Sequence, residues 1–369
     1  MTPIKLVYDY QSSSFQEYGG VSRYIYELAF RLIKQAEFKT RIIAPIYINQ
    51  YLKQQPIPAL EGIAIPFIPK TQRIRSLINQ QITQLYWFNY APDIVHETYY
   101  SYERTAPKSS KVVLTIHDLI HEKFPQFFPA SDHTAAMKAT AIARADQIIC
   151  VSENTRNDLL DLFPLDPNQV SVTYLGCSLT VNPTLKVKLT QRSRPYILYV
   201  GKRDGYKNFS QLLLAYAHSQ NLRQDFDLVC FGSSPLTKSE LQMVADLNLS
   251  YDQIHYIPGN ETTLASWYAG ASILVYPSLY EGFGIPPLEA MTCGCPVACS
   301  PTSSIPEVVG DAAEFFEPTQ PESIAAAIAR VLYNSERSQQ LRIAGQAQAE
   351  KFSWDRCAEK TALIYQSIL

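Results

Sequence analysis

Short apolar runs alternate with amphipathic stretches along almost the whole chain, a pattern that predicts parallel strands joined by helices. In the first half the strand-like runs are KLVYDY from Lys5, RIIAP from Arg41, DIVHE from Asp93, KVVLTIHD from Lys111 and QIICVS from Gln147. Several end on a polar or charged residue, and in open parallel sheets ligands bind beyond the carboxyl ends of the strands. The alternation lapses over residues 181–194, where Lys186, Lys188 and Arg192 mark a polar linker. It resumes with YILYVGK from Tyr196, DLVCFGS from Asp227, IHYIPG from Ile254, SILVYPS from Ser272 and PVACS from Pro296. The fold class is therefore α/β in two domains, 1–180 and 195–353. A last helical segment, 354–369, carries Ala358, Ala362, Leu363, Tyr365 and Leu369 at helical spacing and is expected to pack back on the first domain.

Length agrees with this division, since 369 residues exceed one comfortable core and suit two domains of roughly 150 to 200 residues each. A hydrophobic content of 46% against 18% charged residues fits well-filled cores. The formal net charge of −2, without a basic stripe, argues against a nucleic-acid partner. The chain opens on a short strand-like run rather than a leader, and no stretch reaches the roughly 18 to 20 apolar residues of a membrane-spanning helix. A cytoplasmic location is expected. The seven cysteines include a cluster at Cys293, Cys295 and Cys299 but no second pair at zinc-ligand spacing, and they read as free thiols with no metal site.

Chemistry concentrates in YPSLYEGFGIPPLEAM, Tyr276 to Met291. An apolar strand ends at Pro277, turns through Glu281, Gly282, Phe283 and Gly284, and enters a helix near Pro286 and Pro287, residues suited to a first helical turn. The free amides of that turn and two glycines form a seat for phosphate or for sugar hydroxyls. Carboxylates such as Glu281 and Glu289 accept charge-assisted hydrogen bonds from hydroxyls. Beyond the strand YILYVG lie Lys202, Arg203, Lys207 and Asn208, a cationic group placed where a departing diphosphate needs neutralising; by itself the same cluster reads first as a solvated basic turn, and the glutamate string turns the reading towards a ligand. Gly19 and Gly20 open a helix through Tyr24, Leu28 and Leu32, as an ordinary tight turn or as ligand contacts. His117 closes VVLTIHD at a strand end; His96 and His121 are read as structural or acceptor-contacting.

The glutamate string, with GNETTLASWYAGASILVYPS before it and GCPVACSPTSSIPEVVGDAA after it, resembles the signature of the retaining glycosyltransferases of family 4, which have the GT-B fold. In that fold two Rossmann-like domains face each other across a central cleft. The resemblance implies that Glu281, Gly282, Phe283, Gly284 and Ile285 contact the donor sugar and diphosphate and that Glu289 holds the ribose. It implies diphosphate contacts for Lys202 and Lys207, with Arg203 and Asn208 beside them, a phosphate and acceptor role for Gly19 and Gly20, and sugar positioning for His117. The family usually has arginine directly after the glycine of this strand, where this chain has Lys202, and a lysine cannot form a guanidinium fork.

The function implied is transfer of a hexose from a nucleotide diphosphate sugar to a saccharide or lipid-linked acceptor in polysaccharide biosynthesis, without a metal and with no cofactor beyond the donor, which is a substrate. GGVSRYIYEL and TIHDLI are similar to segments of bacterial mannosyltransferases and favour a GDP-mannose donor, with UDP- and ADP-hexoses open. The alternatives are a glycoside hydrolase using the two glutamates, a nucleotide-sugar epimerase of the same architecture, and a catalytically silent sugar-nucleotide-binding subunit. From Arg73 to Tyr90 the residues Ile74, Leu77, Ile78, Ile82, Leu85, Tyr86 and Trp87 fit a helix packed on the first domain, or an interfacial face that brings the protein to the inner surface of a membrane.

Overall fold

The computed structural model describes residues 2–369 apart from Pro56, Pro183, 185–193, Asp204 and Ser233. The chain divides into two compact units, Met1–Gly176 with Trp354–Leu369, and Cys177–Ser353. The division thus falls a few residues before the expected 180/181, and most of the expected linker lies outside the described residues.

The first unit holds a seven-stranded sheet of β1 (Ile4–Tyr8), β2 (Phe38–Tyr47), β3 (Leu60–Ala64), β4 (Ile94–Glu97), β5 (Lys111–Ile116), β6 (Gln147–Cys150) and β7 (Val170–Val172), in the order β3-β2-β1-β4-β5-β6-β7. The second unit holds six strands, β8 (Tyr196–Val200), β9 (Asp227–Phe231), β10 (Ile254–Ile257), β11 (Ile273–Tyr276), β12 (Val297–Cys299) and β13 (Glu314–Phe315), in the order β10-β9-β8-β11-β12-β13. Every pairing in both sheets is parallel. These are two Rossmann-like sheets, and in each the strand order reverses beside its first strand, between β1 and β4 or between β8 and β11. Chain topology alone leaves a crevice at such a switch point, because the connections leave its two strands in opposite directions.

In the second sheet the two central strands, β8 and β11, carry no charged residue and are buried along their whole length, as strands covered on both faces must be. The helices Phe209–His218 and Pro321–Leu332 pack together in the core of the second unit. All seven cysteines are free thiols. No helix among the described residues is long and apolar enough to cross a membrane.

The C-terminal helix, Trp354–Ser367, belongs to the first unit and packs on the helix Gly20–Leu32. Its buried face is Trp354, Cys357, Ala358, Thr361, Ala362 and Tyr365. Of the apolar positions expected there, Leu363 is exposed because it lies half a turn away, and Leu369 is exposed beyond the helix end. Tyr365 ties the helix to the sheet through a buried polar chain. Its hydroxyl lies 3.1 Å from the Tyr8 hydroxyl and 2.5 Å from His96 Nδ1. His96 Nε2 lies 2.9 Å from Thr115 Oγ1, which is 3.1 Å from the Tyr24 hydroxyl. His96 is therefore the joint of the first unit's interior, which gives it the structural role.

Burial pushes His96 down from the ordinary 6.5 to about 3, and His117 down to about 4. Both are neutral in the folded protein at neutral pH, while the unfolded chain takes up their protons as pH falls through about 6.5. Their contribution to stability is complete above that value and is lost progressively towards the folded values. By about pH 5 each histidine costs roughly 2 kcal/mol. The urea midpoint should accordingly fall between pH 7.5 and about 5, before most carboxylates titrate, and a flat midpoint across that window would contradict the burial of both imidazoles.

Candidate active site

In the second unit the switch point collects the residues singled out in the sequence. β8 ends at Val200 and is followed by Gly201, whose φ of +123° disfavours any side chain, and then by a 3-10 turn, Gly205–Lys207. β11 ends at Tyr276 and runs through Pro277–Gly284 into the helix Ile285–Thr292. The two loops meet. The Leu279 amide donates to the Tyr206 carbonyl at 2.8 Å, and the Asn208 side-chain amide donates to the carbonyls of Pro277 (3.1 Å) and Pro318 (2.7 Å).

At this meeting point Lys207 Nζ donates to both carboxylate oxygens of Glu281, at 2.7 and 2.9 Å. Both side chains are partly buried, and the ammonium also lies 5.0 Å from the Tyr206 ring centre and 5.8 Å from that of Tyr276. A cation and an anion held together at a loop junction can serve a ligand that is itself part hydroxyl and part phosphate. The carboxylate accepts from hydroxyls, and the ammonium, with three donors, can turn one towards an anion.

The helix Ile285–Thr292 begins as its composition requires. Gly284 stands at its N-cap with φ +106°, a left-handed conformation strained for other residues, and Pro286 and Pro287 occupy the first turn. No side chain caps this end, and because Pro286 and Pro287 carry no N–H, Ile285 supplies the only amide of the first three helical residues, with the positive end of the helix dipole behind it. Glu289, on the same helix, is buried and accepts a hydrogen bond of 3.1 Å from the hydroxyl of Tyr268. Burial and the adjacent carboxylate push the Tyr268 phenol well above its ordinary value, so it stays a donor.

Other expected contacts are differently placed. Arg203 is buried and turned away from the lysine: Nε donates to Glu240 Oε1 at 2.8 Å, and a terminal nitrogen donates to the carbonyls of Ser234 (2.7 Å) and Pro235 (3.0 Å). Its fork is thus occupied by Glu240, leaving Lys202, which is exposed, and Lys207 as the cations free of that bond. Asn208 acts as a staple between loops, with φ +59° and both amide hydrogens given to carbonyls. The Phe283 side chain packs edge-on against Phe352 at 5.7 Å in the core, so this position offers a ligand its backbone alone; Gly282 is buried and Ile285 is half-buried. In the first unit, Gly19 is the N-cap of Gly20–Leu32, and a Cβ there would stand 2.6 Å from Gln16 Oε1. His117 follows β5, and its backbone amide donates to the Tyr100 hydroxyl at 3.1 Å. Its Nε2 is buried without a hydrogen-bond partner, an unsatisfied group of the kind that a bound hydroxyl would complete.

The family pattern described as Glycosyltransferase Family 4 matches residues 18–181, and that described as Glycosyl transferases group 1 matches residues 182–348. O-antigen chain mannosyltransferase B of Escherichia coli is 32% identical over 270 residues, covering 69% of this chain and 70% of the relative. The chain belongs to glycosyltransferase family 4. Solved structures agree on the fold. Sucrose-phosphate synthase of Thermosynechococcus elongatus superposes with a TM-score of 0.77 at 19% identity, covering 99% of both chains. Anabaena HepE in complex with UDP and glucose superposes with a TM-score of 0.75 at 16% identity, covering 99% of this chain and 100% of that one. The protein is a family 4 glycosyltransferase of GT-B fold, an enzyme that takes its sugar from a nucleotide sugar.

This glycosyltransferase also positions its glutamates with residues that sequence reasoning passed over. Ser303 Oγ accepts the Glu281 amide at 2.8 Å, and Ser304 Oγ donates to the Glu281 carbonyl at 2.9 Å. Ser303 adopts a left-handed φ of +51° in doing so. The two serines clamp the backbone of Glu281 from both sides, as Tyr268 holds the side chain of Glu289. The only sequence signal was their membership of the strings flanking the glutamates.

Proposed function

We propose that this glycosyltransferase moves a hexose, with retention, from a GDP-mannose-type donor to a saccharide or lipid-linked acceptor, and that the donor sits on the β8–β11 switch point. The observation that carries the reading is the bidentate Lys207–Glu281 pair beside an uncapped helix N-terminus. Breaking the bond between the anomeric carbon and the diphosphate leaves growing negative charge on the departing oxygen. Lys207, Lys202 and the amides from Gly282 to Ile285 are the groups assigned to stabilise it, through charge and the helix dipole. The chain's own ammonium groups supply the neutralisation, so the reading needs no metal ion. Glu281 is assigned the sugar hydroxyls and Glu289 the ribose. In the first unit, Gly19, Gly20 and the unpartnered Nε2 of His117 are assigned sugar and acceptor contacts; an imidazole pushed down to about 4 by burial is a weak base and suits positioning better than proton abstraction.

Mannose is supported by the name of the Escherichia coli relative. A hydrolase is disfavoured because a lysine bonded to both oxygens of one of the two carboxylates, beside an uncapped helix N-terminus, suits an anionic phosphate, which a simple glycosidic bond does not present. The test is to incubate the protein with GDP-mannose, UDP-glucose and ADP-glucose and follow nucleotide release and the first-formed anomer by NMR. GDP release with the donor's anomeric configuration kept in the product is expected. Inversion, or turnover of another donor alone, would refute retention or the choice of donor respectively.

A further inference from the structure

The helix Gln72–Trp87 is built inside out. Its buried residues are Arg75, Asn79 and Thr83. Arg75 Nε donates to the Ser14 carbonyl at 3.1 Å, and Asn79 both accepts the Ile46 amide (2.7 Å) and donates to the Ile46 carbonyl (2.9 Å). The polar side thus serves as the inner face, fastened to the first unit's backbone. The outer face is apolar: Ile74, Leu77, Ile78, Ile82 and Leu85 are all exposed, Leu85 by 63%, and Phe88 just beyond the helix is 83% exposed. At 100° per residue these positions form one stripe along a helix of roughly 24 Å. Phe67 and Ile68, immediately before it, are exposed as well. A water-soluble surface does not place so many large apolar groups in one line unless something covers them.

Charge distinguishes the occupants. From Gly62 to Pro92 there is no aspartate or glutamate, while Lys70, Arg73 and Arg75 are present in a chain whose net charge is −2. Lys70 and Arg73 are exposed at the start of the helix. A twofold contact between copies would bring the cations of both onto one apolar face with no carboxylate in this stretch to meet them. A bilayer surface with anionic headgroups satisfies both features, receiving the stripe at the acyl-chain boundary and the cations at headgroup level.

We infer that the helix Gln72–Trp87 lies flat on a membrane surface bearing anionic lipid, apolar stripe inward, and docks the first unit there. The inference stands on this helix and not on the donor reading. The test is flotation of the full chain with vesicles of phosphatidylcholine alone or mixed with phosphatidylglycerol, alongside sedimentation velocity without lipid. The wild-type protein should float with the anionic vesicles, less so as salt rises. The exposed double substitution Ile78→Gln with Leu85→Gln should reduce partitioning about tenfold or more at an unchanged melting temperature. Lys70→Glu with Arg73→Glu should abolish the preference for anionic vesicles. Wild-type protein that stays with the soluble fraction, a glutamine variant that floats as well as wild type, or equal binding to both vesicles would overturn the inference. So would a lipid-free dimer that the glutamine variant abolishes, which would make this face a contact between copies.

Discussion

Lys207→Ala should lower turnover of the nucleotide sugar by about a hundredfold to a thousandfold, the usual consequence of removing one group aimed at charge that develops in the transition state. The ammonium is held by both oxygens of Glu281, and its removal acts twice. The departing diphosphate loses the cation assigned to it, and the partly buried Glu281 carboxylate loses the partner that holds both its oxygens in place for sugar hydroxyls. The loss should fall mainly on kcat, because the charge it offsets is greatest after the bond has begun to break. Steady-state kinetics of the two purified proteins, with melting temperatures to confirm folding, decide the matter. A variant that keeps the wild-type kcat would remove Lys207 from the chemistry. Arg203→Ala is the informative contrast: that guanidinium is bonded to Glu240 and two carbonyls, so its removal should act on the stability of the loop more than on the chemical step.

Much of this arrangement was legible before the structure. Ten strands follow from apolar runs ended by polar residues, and two sheets follow from their interruption near residue 181. The strands missed are β3, β7 and β13, which lie at sheet edges where one flank is open and the apolar signal weakens: Leu60–Ala64 has no fully buried residue, and Glu314–Phe315 is only a pair. Glu281 and Lys207 stand 74 positions apart, and only the parallel pairing of β8 with β11 brings them into contact. Sequence placed each at a strand end; topology joined them. Arg203 could not be assigned from its neighbours, because its partner Glu240 comes from a different loop-helix junction. The inverted helix Gln72–Trp87 shows a limit of another kind. Periodicity reveals an apolar stripe without saying which side faces in, and here hydrogen bonds from Arg75 and Asn79 to backbone settle it.

Glu289→Ala should weaken binding of the donor nucleotide by roughly tenfold to a hundredfold, as expected for loss of a buried charged acceptor that hydrogen-bonds hydroxyls. The carboxylate is buried and oriented by the Tyr268 hydroxyl, so little ordering cost is left for the ligand to meet. Removing it leaves the tyrosine hydroxyl unsatisfied, and Glu289→Gln, which keeps that bond but not the charge, separates loss of affinity from loss of stability. The nucleotide-binding claim is tested most directly by calorimetric titration of GDP, UDP and ADP into wild-type protein and both Glu289 variants. Micromolar binding of one nucleotide, GDP on the present reading, weakened in both variants, is the predicted result. Absence of binding to any nucleotide, or undiminished affinity in the variants, would contradict the placement of the donor on the β8–β11 switch point.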